Sequence, residues 1–304
     1  MLEWTCRASA ALRFHRNAIV IASVTFRILT LFCLCAFALP AKGQSVASAD
    51  PLAAAKPGQR STIRFAESPP QSADPDQVRY RLMAAETPPA YDVTKEEFEI
   101  LIPQAYQKTK PHGLFIWINA GDAPSIPKDW EALLAKHELV FIGAKNSGNK
   151  RSIFDRMRLA IDANHNARKF LNIDGRRVYV SGFSGGSRVA SMVGVAWGEM
   201  FSGTVCCMGV NFYTDIQAPD GKTYGLNYIP DEMLLPLVKE HCRYSLITGE
   251  KDFNLANTRG AHESGFKKEG FKHTQLLEVP GHGHSPPPAE WLEKAIRFLD
   301  EGKR

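Results

Sequence analysis

Six short, continuous apolar runs, separated by longer stretches of helical character, constrain what this chain can fold into more than any other feature. They are GLFIWIN at 113–119, LVFIGA at 139–144, RRVYVSG at 176–182, GTVCCMG at 203–209, RYSLITG at 243–249 and TQLLEVP at 274–280. A strand with one wet face alternates apolar and polar residues, whereas a strand covered on both faces is apolar throughout, as in a parallel sheet. Helix-like stretches lie between the runs, at roughly 128–138, 151–171, 186–200, 230–241, 254–268 and 287–301. In the second of these Ile153, Met157, Leu159, Ala160, Ile161 and Phe170 keep a helical stripe. Ahead of them VRYRLMA (78–84) and EEFEILIPQAY (96–106) alternate, which predicts leading antiparallel strands with one wet face. The pattern predicts an α/β domain over 77–304: a mostly parallel central sheet with antiparallel N-terminal strands and helices on both faces.

The amino terminus has a different character. Arg7, Arg13, Arg16 and Arg27 precede the uncharged run Ile28–Leu39, and small residues follow in LPAKGQS. This is the order of an export signal over 1–43, with Ala41 and Gly43 before a cut at Gln44. An uncleaved anchor is the alternative, but Arg27 would then sit near the middle of the span. The expected location is secreted or periplasmic, or outward-facing and N-terminally anchored. Residues 44–76, rich in Ala, Ser, Pro, Asp and Gln, read as a flexible linker. The net charge of +5 resides largely in the leader. Without its five basic residues and one acidic residue, 32 basic face 31 acidic, too even a balance for a nucleic-acid binder. If the leader is cut, no stable membrane association is expected. Past it, Cys206, Cys207 and Cys242 remain, which allows one bridge from Cys242 to either neighbour or three buried free thiols. Oligomeric state is not legible.

The stretch most informative about chemistry is VYVSGFSGGSRVASM, 178–192. It holds Gly182-Phe183-Ser184-Gly185-Gly186, a G-x-S-x-G pattern directly after an apolar run and directly before a helical one. A serine on so tight a strand-to-helix turn takes a strained backbone, so its neighbours must be small. The helix N-terminus then directs N–H groups toward negative charge developing beside it. No lysine follows at the spacing of a phosphate-binding loop. In trypsin-like proteases an Asp stands where Phe183 is, and those chains are all-β.

On these residues the chain resembles the α/β-hydrolases, and over about 78–300 secreted bacterial serine esterases of the polyhydroxybutyrate-depolymerase-like and feruloyl-esterase-like branches. The resemblance implies a triad in the order Ser, acid, His. The acid should follow a later strand, and Asp252 fits the G-x-x-D pattern counted from Gly249, with Glu250 as second choice. The base should lie in a small-residue loop before the final helix. His284 of GHGHSP matches, with His282 a neighbour or a plain loop residue. A metal reading of His-x-His lacks a compact set of partners, and no cofactor or metal is expected. His241, His262 and His273 are expected at the surface. The resemblance further implies two oxyanion donors: the N–H of Gly185, and one from Asn119-Ala120-Gly121-Asp122, taken as Ala120 or Gly121, where many relatives have His-Gly. Lys145–Asn149 and Asn211–Asn227 are expected to shape the pocket, the aromatics Phe212, Tyr213 and Tyr224 forming either a small lid or local packing. The implied activity is ester hydrolysis on small or medium-sized substrates. A prolyl-oligopeptidase-like peptidase or amidase and a non-catalytic binding protein of the same fold are the alternatives.

Overall fold

The structure, a computed structural model, describes residues 50–303. All of them belong to one compact unit, Ala47–Arg304. The expected export signal over 1–43 lies outside the described residues. No described helix is long and apolar enough to cross a membrane.

Eight strands form the central sheet: β1 (Arg60–Ile63), β2 (Phe98–Leu101), β3 (His112–Ile118), β4 (Leu139–Ala144), β5 (Ile173–Phe183), β6 (Gly203–Cys207), β9 (Arg243–Gly249) and β10 (His273–Val279). Between β6 and β9, the two-residue strands β7 (Ile216–Gln217) and β8 (Thr223–Tyr224) pair only with each other. The sheet order is β1-β2-β4-β3-β5-β6-β9-β10. The first three strands pair antiparallel, and all pairings from β4 to β10 are parallel. This is the fold class expected: a mostly parallel sheet, antiparallel at its N-terminal edge.

The helices are α1 (Pro70–Ala73), α2 (Pro75–Arg81), α3 (Lys128–Lys136), α4 (Ile153–Phe170), α5 (Gly185–Ala196), α6 (Leu235–His241), α7 (Leu255–Gly260), which runs on into a π-turn over Ala261–Lys267, and α8 (Ala289–Asp300). Strand alternation divides the core into two layers. Leu114, Ile116 and Ile118 of β3, with Val140 and Ile142 of β4, face α4 and α5. Phe115, Trp117 and Phe141 point the other way, against α3 and α8. Helix α8 presents Leu292, Ala295, Ile296 and Leu299, one apolar stripe, to that second layer. Both faces are thus covered over β3, β4, β6 and β9, which is why these strands are buried almost throughout, whereas β10 at the sheet edge is largely half-buried.

Two expectations about the N-terminal part need correction. Residues 44–76 are not wholly a linker, because β1 adds an edge strand at Arg60–Ile63, and Leu52, Ile63 and Phe65 are buried. An edge strand needs few apolar side chains, here Ile63, with Phe65 two residues on and just past the strand, and the surrounding polar composition hides them. Nor is 78–84 a strand. Asp74 accepts the Asp76 N–H at 2.9 Å and Pro75 opens α2, a strong helix start. It buries Val78, and Leu82 at its C-cap, four residues on, is buried as well. The second alternating segment does form β2.

Cys206, Cys207 and Cys242 are buried free thiols, so of the two cysteine readings the unbridged one describes this structure. Cys242 Sγ contacts the carbonyls of Gly198 and Phe201 instead, at 3.4 and 3.5 Å.

Candidate active site

Every sequence-marked site residue lies just past the carboxyl end of a parallel strand. Ser184 follows β5, Asp252 follows β9, His284 follows β10, and the loops at 119–122 and 145–149 follow β3 and β4. In open α/β sheets this edge is where ligands bind.

The turn at Ser184 is built from its glycines. Ser184 has φ 55° and ψ −118°, left-handed for a residue with a side chain. Such backbones cost on the order of 1–3 kcal/mol and persist only where the surroundings enforce them. Here β5 runs into α5 with no room to spare. A Cβ on Gly182 would lie 2.4 Å from the Gly186 carbonyl carbon, and one on Gly186 would lie 2.0 Å from the Ile118 carbonyl oxygen. The Ser184 N–H donates to the Cys207 carbonyl at 2.9 Å, tying the turn to β6.

The three side chains form a hydrogen-bonded chain. His284 Nδ1 is 2.7 Å from Asp252 Oδ1, and His284 Nε2 is 2.8 Å from Ser184 Oγ. An ionised carboxylate only accepts, so Nδ1–H is the donor to Asp252 and Nε2 is left as acceptor for the serine hydroxyl. The Asp252 side chain is fully buried and that of His284 is 21% exposed, so the chain runs from the interior to the surface. Asp252 also accepts the Asn254 N–H at 3.0 Å and the Thr248 hydroxyl at 3.1 Å, which fix its rotamer.

Glu250, the second candidate acid, turns away to accept the Gly281 N–H at 2.7 Å. It pins the histidine loop rather than contacting the imidazole. Two backbone bonds, Glu250 N–H to Val279 O and Lys251 N–H to His282 O at 3.0 and 2.8 Å, join the acid loop to the histidine loop. His282 bonds within its own loop, to Ser285 O at 3.1 Å and Ser285 Oγ at 3.0 Å. His262, in the π-helical segment after α7, is buried rather than at the surface as expected, its Nδ1 2.9 Å from Glu263 Oε1. No group of three or more metal-ligating side chains occurs among the described residues.

The donor loops are held together by residues that carried no motif. The Ala120 N–H donates to Asn119 Oδ1 at 2.9 Å and is therefore already committed. Gly185 and Gly121 N–H groups have no acceptor among the described residues. The Asn149 N–H donates to Ala120 O at 2.9 Å, and the Asn146 N–H to Asp122 O at 2.7 Å, so the two loops are mutually braced. Beneath them Arg156 of α4 donates to Ser147 O at 2.7 Å and Asn119 O at 2.9 Å. Burial lowers its guanidinium pKa to about 10. Arg188 of α5 similarly bridges Val210 O, Asn211 Oδ1 and Asn254 Oδ1 at 3.0, 3.1 and 2.9 Å, coupling the serine helix to the acid loop. Arg156 is buried and Arg188 half-buried, and neither gave a sequence signal. Of the expected lid aromatics, Phe212 and Tyr213 are buried in core packing, stacked with centroids 4.5 Å apart, and Tyr224 is half-buried.

No family model matches the sequence, and no curated protein matches it. Among solved structures the chain is similar to Est1E from Butyrivibrio proteoclasticus, at 15% identity over 68% of this chain and 93% of that one, with a TM-score of 0.47. It is similar to the feruloyl esterase module from Clostridium thermocellum, at 14% identity over 67% and 81%, with a TM-score of 0.47. It is also similar to a Bacteroides ovatus chain described as a dipeptidyl aminopeptidase IV, at 13% identity and a TM-score of 0.49, covering 80% of this chain but 35% of that one. Likenesses of this order concern chain course alone.

Proposed function

We propose that this protein is a serine hydrolase that cleaves carboxylic esters through an acyl-enzyme. The observation that supports this most is the Ser184–His284–Asp252 hydrogen-bonded chain at a strained strand-to-helix turn. Ser184 Oγ attacks the ester carbonyl carbon while its proton passes to His284 Nε2. The resulting imidazolium is stabilised by Asp252. The tetrahedral oxyanion accepts the Gly185 N–H at the start of α5 and, of the Ala120/Gly121 pair, the uncommitted Gly121 N–H. Each such donor contributes about 3 kcal/mol. Collapse breaks the bond to the alcohol oxygen, which takes the proton from His284 and departs. Water then attacks the acyl-enzyme, giving its proton to His284. The second collapse releases the acid, and the proton returns to Ser184.

The arginine-then-apolar leader leads us to place the protein outside the cytoplasm. The activity is tested with purified protein from Gln44 onward and short-chain p-nitrophenyl esters. Turnover that falls by at least about 10³-fold in Ser184→Ala is expected, the order found when a triad member is lost. A folded parent that hydrolyses neither these esters nor amide analogues would overturn the reading and leave the cleft as a binding site.

A further inference from the structure

Two phenylalanine rings pack against the imidazole of His284. The centroid of Phe253 lies 4.0 Å from that of His284 at 31° between planes, and that of Phe183 lies 5.2 Å away at 40°. They differ in what else they touch. Phe183 is half-buried and packed on the core layer beneath the sheet. Phe253 is 74% exposed, a large apolar surface left in water beside the reacting atoms.

Its backbone gives it no freedom to withdraw. Asp252 on one side is fixed by Thr248, by the Asn254 N–H and by His284. Asn254 on the other side donates to Met208 O at 2.8 Å and accepts from Arg188 at 2.9 Å. The backbone that carries the ring is therefore held by the same bonds that orient the acid, and the ring itself rests on the imidazole. An exposed aromatic with fixed neighbours can cover apolar ligand surface with little ordering of its own.

The mechanism above says which part of the substrate meets it. His284 Nε2 must come within hydrogen-bond reach of the alcohol oxygen to protonate it, so the alcohol group leaves past the imidazole. The acyl carbonyl oxygen, by contrast, is held in this mechanism by the donors at Gly185 and the 119–122 loop. On that reading of the site, we infer that Phe253, backed by Phe183, forms an aromatic subsite for the alcohol portion of the ester, and that the preferred substrates carry an aromatic or ring-bearing alcohol.

The test compares kcat/KM for benzyl acetate and ethyl acetate, whose alcohols have similar basicity, in the parent and in Phe253→Ala and Phe253→Trp. Ethyl phenylacetate serves as the acyl-side control. The benzyl-to-ethyl ratio is expected to fall about tenfold in Phe253→Ala, carried chiefly by a higher KM for benzyl acetate. Phe253→Trp should keep the ratio near the parent's. Labelling of the parent by a fluorophosphonate, which has no alcohol leaving group, reports the activated serine separately. If the parent labels but the ratio does not move in Phe253→Ala, the subsite is refuted. It is refuted equally if ethyl phenylacetate loses as much as benzyl acetate, since the ring would then serve the acyl group. If a folded parent fails to label, the hydrolase reading itself falls and takes the subsite with it.

Discussion

Replacing Ser184 by glycine is expected to leave the protein more stable than replacing it by alanine. Both variants lose the hydroxyl and its bond to His284, so that loss cancels between them. What differs is the backbone. At φ 55° and ψ −118°, alanine keeps the steric cost that serine bears, about 1–3 kcal/mol, whereas glycine is free of it. Against this, glycine gives the unfolded chain more freedom, which costs about 0.5–1 kcal/mol. The balance favours Ser184→Gly by roughly 0.5–2 kcal/mol, because close contacts at Gly182 and Gly186 hold the turn whatever stands between them. In a chain of this size that corresponds to a midpoint about 1–6 °C higher, readable by thermal melts of the two variants side by side. A Ser184→Gly variant that melts at or below Ser184→Ala would show that the turn stores no strain at this residue.

Two further outcomes follow from buried charged groups. Burial raises the Asp162 carboxyl to about 6, although Ser72 and Tyr91 donate to it and Arg158 lies near. An unfolded aspartate titrates near about 4, so the folded chain holds the extra proton in between, and this contribution to stability is full below about pH 4 and lost as the pH rises through about 6. Asp162→Asn should therefore remove a pH-dependent loss of up to about 3 kcal/mol, seen as urea midpoints that differ from the parent's more at pH 7 than at pH 4.5; parallel pH profiles would contradict it. Arg156→Lys, whose single ammonium cannot span the Ser147 and Asn119 carbonyls in the same geometry, should lower kcat on p-nitrophenyl esters about tenfold by loosening both donor loops. An unchanged kcat would show that the loops hold without it.

The fold was legible where residue pattern and burial coincide. Strands covered on both faces have no polar alternation to obscure them, so the runs around Ile116, Ile142, Val180 and Leu246 all mark strands of the sheet. The edge was harder. β1 buries only Ile63, with Phe65 just past its end, and α2 only Val78, with Leu82 at its C-cap, so few residues distinguish one period from the other. The pieces of the site were legible because chain order places them after successive strands. Their choice among neighbours was not: Asp252 rather than Glu250 contacts the imidazole, a difference that depends on which carboxylate the histidine loop draws away. Phe253, Arg156 and Arg188 lacked any motif, since an exposed ring beside a histidine and an arginine beneath two loops are products of tertiary geometry alone.

All of this chemistry rests on Ser184 as an activated nucleophile. The most direct measurement is to treat the folded protein with a fluorophosphonate, confirm one adduct by intact mass, and locate it by peptide mapping. A single adduct is expected on the peptide carrying Ser184, absent from Ser184→Ala and strongly slowed in His284→Ala. An adduct on another residue, or a folded protein that takes up none, would contradict it.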